Sequence, residues 1–309
     1  MENRLAQEME DVSVRRLLSD ALRIPVEQHV SAYLGRAWQV MKTQDMSESA
    51  SHPAAILSDK TYSVFVKLGE GGLAWDQFKQ ELAGLRFLTE RSGVLTPTGI
   101  GNINVEGGTV LIMEAVQVVK RERVHWRQMG QALARIHSVK WDRCGLESHC
   151  YWGSLYQDNS PLVDWLEFFH KRRLAPRLKA AVDSGHLPLD FASQVEKLSS
   201  RLHELCGPKV KPSLLHGDAH QNNFLSTAKG PVMIDPAVYY GHPEIDLAYV
   251  DFFEPVSDEL FQGYQEIAPL DPGFAKRRDL WRIPAWLAMV EVGGPQYLDK
   301  LMMALRNYV

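Results

Sequence analysis

The chain has 309 residues, with 34 Lys+Arg against 38 Asp+Glu and a formal charge of −4. That balance leaves no general electrostatic footprint for nucleic acid or a membrane surface, and no apolar run approaches the roughly 20 residues of a membrane-spanning helix. An apolar fraction of 45% supports a packed core, and the length suits about two domains.

Residues 3–22 read as an amphipathic helix. The first segment, MENRLAQEMEDVSVRRLL, mixes charges throughout and lacks the apolar core of a signal peptide. HVSAYLGRAWQVMK (29–42) reads as two short strands around Gly35, and TQDMSESASHPAAILSD (43–59) as a loop. The β-branched and aromatic TYSVFVK (61–67) predicts a strand. LAWDQFKQELAGLRFL (73–88) is helical by period, and TGIGNINVEGGTVLIMEAV (98–116) reads as two strands joined at Glu106-Gly107-Gly108. Helices follow at 126–139, 162–183 and 191–205, then two short strand-like runs, then a helical C-terminus. Cys144, Cys150 and Cys206 form neither a CxxC pair nor a framework. With no secretory signal, reduced thiols in a cytoplasmic protein are expected, a Cys144–Cys150 bridge being the lesser alternative. Strands dominate the first third and helices the rest. The expectation is an α+β fold of two lobes, residues 1–116 and 117–309, with the boundary near 116–121 and a small-ligand cleft between them.

Chemistry gathers in LLHGDAHQNNFLSTAKGPVMIDP (214–236). The neighbouring runs Ser213-Leu215 and Val232-Ile234 each end in a polar cluster, the first holding Asp218 and Asn223, the second Asp235. In phosphoryl transfer an Asp orients the attacking hydroxyl and takes its proton, an Asn five residues on binds Mg²⁺, and a second Asp at the next strand end holds the Mg²⁺ that bridges nucleotide phosphates. Mg²⁺ is hard, prefers oxygen, and takes few protein ligands beside phosphate and water. Any one of the three reads equally well as a turn cap. Three in order, after a Lys–Glu pair, do not. That pair is Lys67, ending a strand, and Glu81, which the helical period places inside the apolar stripe of Phe78, Leu82, Leu85 and Leu88, where a carboxylate needs a cation. Met113-Glu114-Ala115 reads as a hinge. GEGG (69–72) follows Lys67 and so reads as a strand-to-helix link, not a phosphate loop. His216, Asp218 and His220, with Asp235 and His242, could form a metal-dependent hydrolase site, a reading that leaves Lys67, Glu81 and Asn223 without roles.

These features resemble the fructosamine-3-kinase (ketosamine-3-kinase) family, of the protein-kinase-like fold shared with aminoglycoside and choline kinases. The likeness is clearest in GSLYQDNSPLVDWLEFFHKRRLAPRL (153–178), in LLHGD with Asn223, in GPVMIDPAVYYGHPEIDLA (230–248) and in YQEIAPLDPGFAKRRDLWRIPAWL (264–287). It implies a small antiparallel-sheet N-lobe and a larger helical C-lobe. The implied activity is ATP- and Mg²⁺-dependent phosphorylation of the 3-hydroxyl of a ketoamine, with a deglycation role. The acceptor is a small glycated amine, glycated protein lysines being a second form, with no nucleic acid or membrane partner and a monomeric state. By position Asp218 is the general base, and Asn223 and Asp235 bind Mg²⁺. Lys67 contacts ATP, oriented by Glu81, with Gly35, Met113, Glu114 and Val116 as further nucleotide contacts. His216 and Asp246 support the catalytic loop. His242 and Glu244 are expected in a buried polar network beneath it.

Two departures stand out. The family pattern HGDLWxGN carries a Trp two residues after the Asp, where this chain has His220, a position facing the acceptor. The nucleotide-covering loop is poor in glycine, with Gly35 alone where several are expected, and lacks the family's redox-sensitive cysteine. An aminoglycoside or amino alcohol is the alternative acceptor, with Asp158 and Asp164 as candidate anions for a cationic amine and Trp38, Trp75, Trp152 and Trp165 as candidate sugar-lining rings. A nucleotide-binding scaffold without transfer is the non-enzyme alternative.

Overall fold

The structure, a computed structural model, describes residues 19–47 and 52–308. The chain divides into two compact units, Met1–Phe87 with Thr96–Val119, and Leu88–Leu95 with Lys120–Val309.

The first unit opens with α1 (Asp20–Leu34), which buries Leu22, Val26 and Val30 at i, i+4 and i+8 on one face. Gly35 ends it at φ 65°, a left-handed turn that suits glycine. The reading of 29–42 as two strands is therefore wrong: its first half is the end of a helix, and Gly35 is a helix cap. The expected helix over 3–22 falls mostly outside the described residues, with only its end in α1. Five antiparallel strands follow: β1 (Lys42–Asp45), β2 (Ala54–Ser58), β3 (Ser63–Glu70), β4 (Gly99–Val105) and β5 (Gly108–Glu114), in the order β1-β2-β3-β5-β4. The loop expected over 43–59 thus contains most of β1 and all of β2. Alanines at 54 and 55 carry little strand signal, yet burial on both sides holds them in the sheet.

Alternation along β3 divides its side chains between two cores. Val64, Val66 and Leu68 join α1, Trp38, Val110 and Ile112. Phe65 lies on the other face, against Phe78 and Leu85 of α2 (Ala74–Ser92) with Leu111 and Met113. Lys67, one pleat on, shares that face. GEGG links β3 to α2, as expected. A Cβ on Gly69 would fall 2.7 Å from the Ala74 Cβ and 2.9 Å from the Phe78 ring, so close strand–helix packing requires this glycine.

In the second unit α3 (Arg123–Ser138) crosses α9 (Asp258–Gln265) at backbone contact, because a Cβ on Gly130 would lie 1.8 Å from the Leu260 carbonyl oxygen and one on Gly263 2.0 Å from that of Arg127. A hairpin, β6 (Cys150–Trp152) and β7 (Leu155–Gln157), precedes a helical run of α4 (Trp165–Phe168), a π turn at Phe169–Leu174 and α5 (Ala175–Asp183). Next come α6 (Leu189–Ser200), α7 (Leu202–Leu205), α8 (Glu244–Tyr249), α10 (Phe274–Gly293) and α11 (Leu298–Leu305). Trp165, Phe168, Phe169 and Trp281 form an aromatic core in which Arg173 lies 4.1 Å over the ring of Tyr239. All three cysteines are buried and free, which removes the Cys144–Cys150 bridge. Burial pushes the Cys144 and Cys206 thiols up to about 12. No helix among the described residues is long and apolar enough to cross a membrane.

Candidate active site

Two short sheets carry the 214–236 segment. β8 (Ser213–Leu215) pairs with β11 (Tyr239–Gly241), and β9 (Phe224–Thr227) forms a hairpin with β10 (Gly230–Met233). The two polar-tipped runs are thus not paired with each other. Their tips are joined by loop hydrogen bonds instead. The Ile234 amide donates to the Asn223 carbonyl at 3.1 Å, the His216 ring to the Ile234 carbonyl at 3.1 Å, and the Ala237 amide to the His216 carbonyl at 2.8 Å. These bonds bring the segment bearing Asp235 beside the one bearing Asp218 and Asn223. Gly217 makes the crossing possible: at φ 82°, a Cβ there would sit 1.9 Å from the Ala237 carbonyl oxygen.

Asp246 is the anchor beneath this loop. It is 0% exposed and accepts from the His216 amide at 2.7 Å, the Gly217 amide at 2.9 Å and His137 Nε2 at 3.1 Å. His137 Nδ1 then takes the Tyr264 hydroxyl at 2.9 Å, which sets the ring's tautomer. The His216 pKa is lowered to about 4, chiefly by burial, so the ring is neutral; Nε2 donates to Ile234 and Nδ1 accepts the Asp218 amide at 3.3 Å. Sequence reasoning named His216 and Asp246 but missed His137 and Tyr264. A histidine on the apolar face of α3 was their one visible signal.

Asn223 donates through Nδ2 to the Asp218 carbonyl at 2.8 Å and to its carboxylate at 3.2 Å. Those bonds assign Oδ1 as the free acceptor end of the amide. Asp235 has φ 52°, the only positive φ at a non-glycine residue among those described. Such a conformation costs of order 1 kcal/mol or more and persists where surrounding bonds enforce it. The Asp218 pKa is raised to about 6, first by burial and also by Asp235, against the opposing effects of His220 and Asn223. His220 Nε2 lies 3.7 Å from the Asp218 carboxylate, and its ring meets Phe253 edge-on at 4.9 Å. Trp152, in the hairpin, donates to the Gly217 carbonyl at 2.9 Å.

Arg121 was also missed. It donates to the Gln221 carbonyl at 3.1 Å, to Ser226 Oγ at 3.2 Å and to the Phe224 carbonyl, and lies 4.6 Å over the Trp126 ring. Its partners bracket Asn223, so it clamps the turn that aims the amide. If Asn223 holds Mg²⁺, as its spacing from Asp218 implies, Arg121→Ala should raise the Mg²⁺ concentration for half-maximal activity roughly tenfold, the usual cost of losing support for a metal ligand. Metal titration of activity checks this; an unchanged requirement would make Arg121 a packing residue only.

In the first unit, Lys67 on the third strand lies opposite Ala54 and Leu111 in the sheet, is 3% exposed, and meets Glu81 Oε1 at 2.9 Å. Burial makes each charge dependent on the other. The other expected nucleotide contacts lie in four local settings of the first unit. Gly35 caps α1. In sequence, the segment 46–53 between β1 and β2 contains no glycine or cysteine. Met113 is a core side chain, packed with Phe78, Leu85 and Leu111. Glu114 is exposed at the end of β5, and Val116 is half-buried just beyond it. Asp164 accepts the Glu167 amide at 3.0 Å as a helix cap, and Asp158 binds Arg172 at 2.7 Å, so both anions have structural partners. Trp38 and Trp165 are core residues, and Trp75 is exposed.

The hydrolase constellation does not assemble. His216 is committed at both nitrogens, and His242 is buried against Trp281, taking the Glu244 amide on Nδ1. Glu244 itself binds Arg277 at 2.5 Å and the Trp281 indole at 2.7 Å, forming the expected buried polar network. No group of three or more His, Cys, Asp or Glu side chains is poised for a metal among the described residues. An amide oxygen and a carboxylate suit Mg²⁺, which takes its remaining ligands from phosphate and water.

Comparison with known proteins agrees with this geometry. The fructosamine kinase family profile matches residues 24–309. A protein named "probable ketoamine kinase" from Synechocystis sp. is 28% identical over 285 residues, covering 91% of this chain and 95% of that one. A chloroplastic protein-ribulosamine 3-kinase of Oryza sativa subsp. japonica is also 28% identical, covering 89% and 81%. Among solved structures, one assigned as a fructosamine-3-kinase from Thermobifida fusca has a TM-score of 0.81 at 29% identity, covering 92% of this chain and 98% of that one. A choline kinase from Streptococcus pneumoniae has a TM-score of 0.62 at 15% identity, covering 92% and 97%, and shares the protein-kinase-like fold. With a match over nearly its whole length, the chain belongs to the fructosamine kinase family.

Proposed function

We propose that the protein transfers the γ-phosphoryl group of ATP to the 3-hydroxyl of a ketoamine. The observation that carries this reading is the joined set of Asp218, Asn223 and Asp235, with Asp235 held in a strained conformation beside the catalytic loop. Asp218 aligns the sugar hydroxyl and accepts its proton as the oxygen attacks phosphorus; the bond from the γ-phosphorus to the bridging oxygen breaks and ADP leaves. Asn223 Oδ1 and the Asp235 carboxylate would hold Mg²⁺, which supplies charge neutralisation between the phosphates when bound. Lys67, held by Glu81, binds ATP phosphates. Phosphate at C3 becomes allylic once the ketoamine enolises toward C1, so its elimination destabilises the sugar–amine adduct. Deglycation in the cytoplasm, by a monomer, follows as the biological reading.

ATP consumption coupled to product mass tests this across fructosamines and ribulosamines, with aminoglycosides and choline as controls. A ketoamine 3-phosphate is the expected product; turnover on a control alone would reassign the acceptor. The base must be ionised to act, so its raised pKa moves the acid limb of kcat/KM upward. Activity should rise with unit slope as pH approaches about 6 and level off above it. A limb near the usual carboxylate value of roughly 4 would show that Asp218 is not the titrating base.

A further inference from the structure

Beyond the catalytic loop the second unit contains a cavity of about 540 Å³ that the phosphoryl-transfer chemistry does not use. Its size suits a small molecule. Phe253 places it: this ring lines the cavity and also meets His220, whose Nε2 lies 3.7 Å from the Asp218 carboxylate. The reacting hydroxyl belongs at Asp218, so a group reaching past Phe253 is the part of the acceptor remote from the reaction. In a ketoamine two parts extend away from the 3-hydroxyl, the C4–C6 polyol and the amine substituent, and cations beside an aromatic wall suit a substituent carrying an anion rather than a neutral polyol.

The walls show what substituent fits. One is aromatic, with Phe252 and Trp286 4.0 Å apart and Phe253 perpendicular to Phe252 at 5.1 Å. The other is charged. Asp251 is neutralised twice over, by Arg278 and Arg282, and Arg282 also approaches Asp279 at 3.6 Å. Glu254 is the third carboxylate on the wall, and Lys300 and Arg306 come from α11 and the turn after it. Neither Lys300 nor Arg306 has a carboxylate partner among the described residues. The lining itself is balanced, with Arg282, Lys300 and Arg306 against Asp251, Asp279 and Glu254, but Arg282 is spent on Asp251 and Asp279, and Asp251 is paired again by Arg278 from outside the cavity. Lys300 and Arg306 are the cations left to face the cavity, and beside an aromatic wall they suit an apolar group carrying an anion.

Resting on the ketoamine reading, we infer that this cavity receives the amine half of the acceptor and selects amines with their own carboxylate: glycated free amino acids rather than glycated lysines within a protein. Lys300 and Arg306 bind the carboxylate, and the Phe252–Phe253–Trp286 wall takes the side chain. A lysine inside a chain presents amides there, which leave both cations uncompensated.

The test compares kcat/KM for the ketoamine of leucine with that for the ketoamine of 3-methylbutylamine, which lacks only the carboxylate. The wild-type protein should prefer the leucine adduct roughly tenfold or more, as expected for a charge-assisted contact. In the Lys300→Gln/Arg306→Gln double variant that ratio should fall close to one, and added salt should erode it in the wild type. Equal rates in the wild type, or a ratio untouched in the double variant, would overturn the inference while leaving the kinase intact. So would a ribulosylated protein lysine used as fast as the leucine adduct. If neither ketoamine is phosphorylated while choline or an aminoglycoside is, the ketoamine reading falls, and this inference with it.

Discussion

Asp218→Asn is expected to lower kcat by about 10³-fold while the KM for ATP stays within about threefold, because general-base removal costs 10²–10⁴ in rate and the nucleotide makes no demand on this side chain. The substitution is nearly isosteric. An amide oxygen at position 218 can still accept from Asn223 Nδ2, and the backbone bond to His216 is unaffected, so the loop keeps its shape. Steady-state kinetics with a ketoamine acceptor measures the effect, and equilibrium nucleotide binding shows that the protein remains competent. A variant retaining more than about a tenth of wild-type kcat would sink the base assignment.

Asp246→Ala should be the most damaging change to stability. It strands the amides of His216 and Gly217 and the Nε2–H of His137 in a fully buried site, without an acceptor. Each orphaned donor costs roughly 1–3 kcal/mol, giving about 3–5 kcal/mol after relaxation. For a chain of this size that corresponds to a Tm lower by roughly 5–8 °C. Because the same amides hold Gly217 and the following Asp218, kcat should fall even where the variant is folded. Thermal unfolding and kinetics at low temperature separate the two effects. A Tm within about 2 °C of wild type would mean that water replaces the carboxylate, and that the anchor is dispensable.

Some of the site was legible because its signals are local. A strand with alternating apolar residues ends at Lys67, and a helical period places Glu81 among leucines; each needs only a few neighbours to read, and the two side chains meet at 2.9 Å. The five-residue step from Asp218 to Asn223 is likewise short enough for the chain to impose. Where signals were weak the reading failed. Ala54-Ala55 lacks strand propensity and is held by partners on both sides, and the end of α1 was mistaken for strands because Val30, Tyr33 and Leu34 suit either state.

What the sequence alone determined was the family and the inventory: which carboxylates, amide and lysine are present, in what order, and on which kind of element. What tertiary structure decided was which of them meet. His137 and Tyr264 are 109 and 18 residues from Asp246, yet complete its network. Arg121 reaches a turn a hundred residues away. Asp158 and Asp164, acidic and well placed in sequence, prove to be an ion-pair partner and a helix cap. The positive φ of Asp235 has no local signature. For His137, Tyr264 and Arg121 the physical reason is shared: a buried polar group is satisfied by whatever the fold brings within about 3 Å, which depends on how distant segments pack. Asp164 differs, since its partner is the Glu167 amide three residues on, a local cap.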